Sequence, residues 1–364
     1  MRKLVVSTCG TSLLTNLAGN QRGLVIRHAN AREPAEVPAE DRAALEQLIQ
    51  RGRSELAGAD AQAQERLSAE LNGLLRLYDG RLGDGGDHHW LIATDTWLGT
   101  AIAELISEVL ETAGHGVEVK RIADLRTDDL GEFRAAMAEL ARLCAQELRG
   151  MAQGGWRVVF NLTGGFKSVQ GFMQALGMLY ADESVYVFER TRELLRLPRL
   201  PIAIDADTLV HEHQHVFRRL AAGLPVTVAD AAELPDTLTM ELDGQVTLSV
   251  WGDVVWSQAG PELLGERLWP AVDDKLRYGE ELERSVAKCS ADELRMVNER
   301  LSDLARRLHD NQYNPDRLDF TKLKTPHGRW THECDAWASG AAKRLFGYFD
   351  DGVFVVDQLA AALH

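Results

Sequence analysis

Two spacings of apolar residues alternate along the first half of the chain. Short runs rich in Val, Leu, Ile and Phe fall at 3–7, 89–93, 117–122, 156–160 and 184–188, the pattern of strands buried between two layers. Between them apolar residues recur every three or four positions. Phe166, Val169, Met173, Leu176 and Tyr180 are one such set, and the spacing predicts a helix along one buried stripe. Strand alternating with helix predicts an α/β fold, a doubly wound parallel sheet with helices on both faces. The pair 185–188 and 194–198 predicts an edge hairpin, so the first domain runs over 1–205. Residues 40–78 are rich in Ala, Glu and Arg and predict a helical insertion whose charges form a solvated face or, alternatively, a dimer arm.

Past Thr208 the pattern changes. Short pieces such as Gln245–Val250 predict a linker of mixed structure over 206–265, winged-helix-like in outline. A third, α+β block covers 270–364. In it Leu294, Val297, Leu301, Leu304 and Leu308 lie on one helical face, and strands are expected at 329–335, 343–349 and 353–356. Asp350-Asp351-Gly352 between the last two is a tight hairpin signal.

Composition narrows the classes. A chain of 364 residues is long enough for two or three domains. Its formal charge of −15 argues against indiscriminate nucleic-acid binding. No apolar run has membrane-spanning length and the chain opens directly into a strand, so no membrane and no signal peptide is expected. Cys9, Cys144, Cys289 and Cys334 are scattered, which fits reduced thiols in a cytoplasmic protein. Cys9 sits beside a candidate ligand loop, where a small buried residue is a simpler role than a nucleophile. His211, His213 and His215 alternate, and alternate positions on a helix diverge, so a polar face is expected and no metal.

The candidate chemistry lies at strand ends. The fourth strand runs into Asn161-Leu162-Thr163-Gly164-Gly165-Phe166-Lys167 and then into the helix. Glycines allow close backbone approach, and the free N–H groups of a first helical turn suit an anion, with Lys167 adding charge. A Gly-x-x-x-x-Gly-Lys-Ser loop is excluded by spacing, and Gly-x-Gly-x-x-Gly is absent. One Gly-Gly turn with a surface lysine could be plain structure. A second loop of the same kind, Gly10-Thr11-Ser12, follows the first strand, and Thr94-Asp95-Thr96 follows the second. All three point to the carboxyl edge of a parallel sheet, where ligands of such sheets sit.

Gly10-Thr11-Ser12 and Asn161-x-Thr163-Gly164-Gly165-x-Lys167 resemble the two signature loops of CRISPR-associated Rossmann-like (CARF) domains. The resemblance implies a homodimer that binds one cyclic oligoadenylate, cyclic tetraadenylate by symmetry, across its two-fold axis. The ring is an allosteric activator and no cofactor is implied. Gly10, Thr11, Ser12, Thr96, Asn161, Thr163, Gly164, Gly165 and Lys167 would line the pocket. Related domains slowly hydrolyse their ligand with a Ser and a Lys near the ribose 2′-OH, and Ser12 and Lys167 stand in the matching places. A plain sensor, without ring cleavage, is equally compatible with these residues.

The last block resembles RelE-like ribonuclease toxins at Leu318 to Lys324, Gly328-Arg329-Trp330 and Lys343–Phe349. Between Asn311 and Phe349 there are six Lys/Arg and four acids, a balance of +2 in an acidic chain, which suggests a place for RNA phosphates. The resemblance implies metal-independent cleavage of mRNA on the ribosome by 2′-OH attack, giving a cyclic phosphate. Lys322, Lys324, Arg329, Arg344 and Tyr348 are the equivalents, with His327 and His332 as acid/base candidates. Similar CARF–RelE fusions also imply a contact with a ribosomal stalk protein. A HEPN ribonuclease would need Arg-x(4–6)-His on a helix; Arg22 and His28 have that spacing but lie in the first domain. A cyclic-oligoadenylate-responsive transcription regulator and a stand-alone ring nuclease are the two competing functions.

Overall fold

The computed structural model describes residues 2–83, 85–126, 128–188, 193–242, 244–338 and 341–362. The chain divides into two compact units, Met1–Ala203 and Ile204–His364.

In the first unit six strands form one sheet: β1 Lys3–Thr8, β2 His88–Ala93, β3 Gly116–Arg121, β4 Arg157–Asn161, β5 Glu183–Val187 and β6 Leu194–Pro198. Their order is β3-β2-β1-β4-β5-β6. β1 to β5 run parallel and β6 returns antiparallel, pairing Val185 with Arg196. The five expected strands and the edge hairpin are all present. Every β1 residue from Leu4 to Thr8 is buried, because helices cover both faces. Val5, Leu91 and Val159 share one apolar cluster with Leu13, Leu98 and Ile102. Phe160, on the opposite face, meets the Lys167–Tyr180 helix, where a Cβ on Gly177 would lie 3.3 Å from the ring.

The insertion between β1 and β2 is helical, as expected: Ala39–Ala57, Ala61–Leu67 and Ala69–Leu77. Its expected role as a solvated face needs correcting. Leu45, Leu48, Leu56, Leu71, Leu74 and Leu77 are buried in the same cluster as β1. Many of the charges face outward, but Glu70 is buried, and the leucines between them build the core.

The second unit has two apolar clusters. One gathers the Ala206–Glu212, Gln214–Ala221 and Val250–Glu266 helices around Phe217, Val255 and Leu263, with the hairpin β7 Thr239–Leu242 and β8 Gln245–Leu248. The other packs the Ala291–His309 helix through Val297, Leu301 and Leu304 against a five-stranded sheet. That helix opens with a capping box, Ser290 with Glu293. The sheet comprises β9 Leu276–Tyr278, β10 Thr321–His327, β11 Trp330–Trp337, β12 Lys343–Asp350 and β13 Val353–Ala361, ordered β10-β11-β12-β13-β9. β9 is parallel to β13 and the other pairs are antiparallel. Asp351 and Gly352 have φ of 47° and 83° and link the Asp350–Val353 pair, the geometry of a two-residue type I′ turn. Among the described residues no helix is long and apolar enough to cross a membrane.

Candidate functional site

Chain order in the first sheet reverses between β1 and β4. In an open α/β sheet the crevice at such a reversal, outside the carboxyl ends, is where a ligand fits. Both loops singled out by sequence leave from this pair of strands. Gly10 and Gly165 let them touch: a Cβ on Gly10 would lie 3.0 Å from the Gly165 Cα. Gly165 has a φ of 99°, and a Cβ there would meet Thr8 Oγ1 at 2.6 Å. These positions require glycine both for space and, at 165, for conformation.

Hydrogen bonds fix the second loop from below. Thr8 Oγ1 donates to the Gly164 carbonyl at 2.6 Å, and Gln170 Nε2 donates to the carbonyls of Leu162 and Gly164. Asn161 is buried; its amide donates to Ser7 Oγ and to the Glu70 carbonyl. Thr163 Oγ1 accepts from the Val187 N–H at 3.2 Å. With its carbonyls turned inward, the loop enters the Lys167–Tyr180 helix at Phe166, whose side chain offers no cap to the first-turn N–H groups. Lys167 is exposed beside them. At the end of β2 the arrangement differs. Thr96 is buried, bonds to Thr94 and caps its own helix by accepting from Gly99 N. Its hydroxyl is therefore committed within the fold.

One residue that sequence reasoning missed sits in the crevice. Glu70, fully buried, accepts from Gly10 N at 2.9 Å, from Ser12 Oγ at 2.8 Å and from Ser68 Oγ at 2.7 Å. Ser12 Oγ in turn accepts from Ala69 N. A Cβ on Gly164 would run into the Glu70 carboxylate, so this side chain lies against the second loop as well. Burial, with the Glu70 charge second, pushes the Cys9 thiol well up and keeps it protonated. That fits the expectation that Cys9 is no nucleophile. Ser68-Ala69-Glu70-Leu71 and the leucines after it signal a capped helix start with an apolar stripe, but nothing local marks Glu70 as turned toward the loops.

In the second unit the structure does not gather the seven ribonuclease candidates into one cluster. His327 stacks on Trp330, which stacks on Phe346, with ring centres 5.4 and 5.0 Å apart. Arg329 lies over the Tyr348 ring at 5.3 Å and grips Asp357 with two nitrogens, while Trp330 Nε1 donates to the same carboxylate at 2.7 Å. His332 instead stacks on Phe320 at 5.3 Å and meets Phe349 and Phe354 edge-on. Tyr348 and Phe349 are neighbours on β12 and point to opposite faces. Arg329 and His332 are therefore across the sheet from each other. Burial first, and Lys322 second, lower the His332 pKa.

Arg344 is enclosed by three carboxylates: Asp319, Glu333 and Asp335. Arg317 is gripped by Asp303, and Lys343 lies over the Trp337 ring. The basic patch expected from the local count of charges needs correcting, because Asp303 and Asp357, outside that stretch, neutralise two of its arginines. Lys322 and Lys324, exposed on β10, form no ion pair among the described residues. The other motifs resolve simply. His211 bonds Asp207 O and Glu266, and His215 pairs with Glu233; these histidines diverge as expected. His28 pairs with Asp41. Among the described residues no three His, Cys, Asp or Glu side chains converge as a metal site.

Residues 65–200 match the model of a CRISPR-associated protein family, Cas_APE2256. The match takes in Glu70, the second loop and β2 to β6, and spans well under half of the chain. No curated protein matches. Among solved structures the chain is similar to Can2 from Sulfobacillus thermosulfidooxidans in complex with cyclic tetra-adenylate, at 8% identity over 98% of this chain and 78% of that one, with a TM-score of 0.24. It is also similar to protein VC1899 from Vibrio cholerae, at 8% identity over 95% and 76%, again with a TM-score of 0.24. At that score neither superposition bears on the fold.

Proposed function

We propose that the first unit binds a cyclic oligoadenylate, cyclic tetraadenylate in the first place, and that binding switches on a ribonuclease in the second unit as part of CRISPR defence. The observation that carries the sensor is the meeting of two glycine loops at the β1/β4 reversal, beside an uncapped helix start bearing Lys167. First-turn N–H groups and a lysine attract phosphate, and glycine backbones let it come close. The match of residues 65–200 to a CRISPR-associated family supports a signalling nucleotide over a dinucleotide cofactor. In this proposal the ligand spans two copies of the chain, each reading half of the ring. Ser12 and Lys167 are also the pair through which slow ring cleavage would run.

For the effector, the Glu280–Val286 and Ala291–His309 helices followed by the antiparallel strands β10 to β13 support the RelE-like assignment. Attack of a substrate 2′-OH on the adjacent phosphate needs a proton acceptor, a cation for the phosphorane and an acid for the leaving oxygen. Lys322 and Lys324 are the accessible cations, and His327, at the far end of β10, is the candidate for proton transfer. Arg329 lies over the Tyr348 ring, with its charge balanced by Asp357. So few free cations suit a substrate aligned by the ribosome, since alignment can supply several kcal/mol of the barrier. The test is incubation of the full chain with translating ribosomes and with naked RNA, with and without cyclic tetraadenylate. Activator-dependent cleavage of ribosome-bound message is expected, and equal degradation of naked RNA would reject the RelE-like assignment.

A further inference from the structure

We infer that Glu70 is a resident anion of the switch-point crevice, which the phosphates of the incoming ligand must displace or outweigh. The inference rests on the cyclic-oligoadenylate assignment above and adds a determinant of affinity. In the first loop, Gly10 N–H and Ser12 O–H both end on this one carboxylate. The one O–H of Ser12 is thus committed to Glu70, while its oxygen accepts from Ala69 N. The carboxylate is fully buried, and among the described residues no lysine or arginine forms an ion pair with it. A buried carboxylate held by three neutral donors is in the situation of a bound phosphate oxygen.

Two consequences follow for a polyanionic ligand. Its phosphates approach from the side of Lys167 and the uncapped helix start, while the first loop opposes them with a like charge at short range and low dielectric. To use Gly10 and Ser12 as donors, the ligand has to draw Glu70 out, and Glu70 is carried by the Ala69–Leu77 helix, whose leucines lie in the core. Entry of the ligand is thereby coupled to movement of that helix.

The test is calorimetry of cyclic tetraadenylate and of inorganic pyrophosphate on the wild-type chain, Glu70→Gln and Glu70→Asp. The amide keeps the shape and removes the charge, whereas aspartate keeps the charge. Glu70→Gln should bind both anions at least about tenfold more tightly, and Glu70→Asp should show no gain. Equal or weaker binding by Glu70→Gln, or an equal gain by Glu70→Asp, overturns the inference. If cyclic tetraadenylate binds none of the chains while pyrophosphate still favours Glu70→Gln, the ligand class fails and the resident anion stands. Should Glu70→Gln not fold, hydrogen exchange on the wild-type chain decides. Saturating anion should lower protection over 66–77, and unchanged protection there overturns the inference.

Discussion

Gly165 combines a φ of 99° with a Cβ position 2.6 Å from Thr8 Oγ1. Gly165→Ala must strain the backbone and push apart the two loops, at a cost of roughly 1–3 kcal/mol. Urea unfolding should show a lower midpoint with an unchanged slope. His89 is buried on β2 beside His115 and Tyr78. Burial first, with the His115 charge next, pushes its pKa down to about 3 from an ordinary 6.5. The unfolded chain therefore takes up the proton first. Stability from this site is complete above pH 6.5 and falls as pH drops toward 3, by about 1.4 kcal/mol per unit within that window. Urea midpoints at pH 7, 5 and 4 for the wild type and His89→Gln should converge as pH falls. Parallel curves would reject that origin.

At the scale of elements, Arg344 belongs to the stability of the β11/β12 pair as much as to any chemistry. Arg344→Ala leaves Asp319, Glu333 and Asp335 facing one another on a half-buried surface, with an expected loss of about 2–4 kcal/mol. A thermal melt checks this directly, and an unchanged Tm would show that the cage does not hold the sheet. Lost activity in that variant would then say little about catalysis, whereas Lys322→Ala and Lys324→Ala on exposed β10 should lower cleavage without moving the melt. The parallel strands were legible because burial on both faces turns each into a continuous apolar run. β9 has only three residues, and β10 is an exposed polar edge containing Pro326; neither leaves a periodic signal. The arginine partners escaped a local count for a related reason. Asp357 reaches Arg329 from 28 positions away, and only the fold joins them.

For the whole molecule, the two loops were legible because each follows a strand directly, and glycine next to a helix start is a local signature. Glu70 was not, since one glutamate in an Ala/Glu/Arg-rich stretch looks like any solvated charge until the sheet brings it against Gly10 and Ser12. Its presence also bears on how an acidic chain accepts an anionic ring: the local donors and Lys167 act against a formal charge of −15. Binding should therefore strengthen as salt screens the wider field over distances beyond about 10 Å. Affinities measured at two ionic strengths check this, and weakening in salt would place the dominant attraction elsewhere. The central claim, a nucleotide sensor at the β1/β4 reversal, is tested most directly by titrating cyclic tetraadenylate into the full chain and Lys167→Ala in a calorimeter. The account predicts saturable binding of one ring per two chains, weakened about tenfold or more in the variant by loss of a charge-assisted hydrogen bond. Absence of binding, or equal affinity in the two proteins, would contradict it.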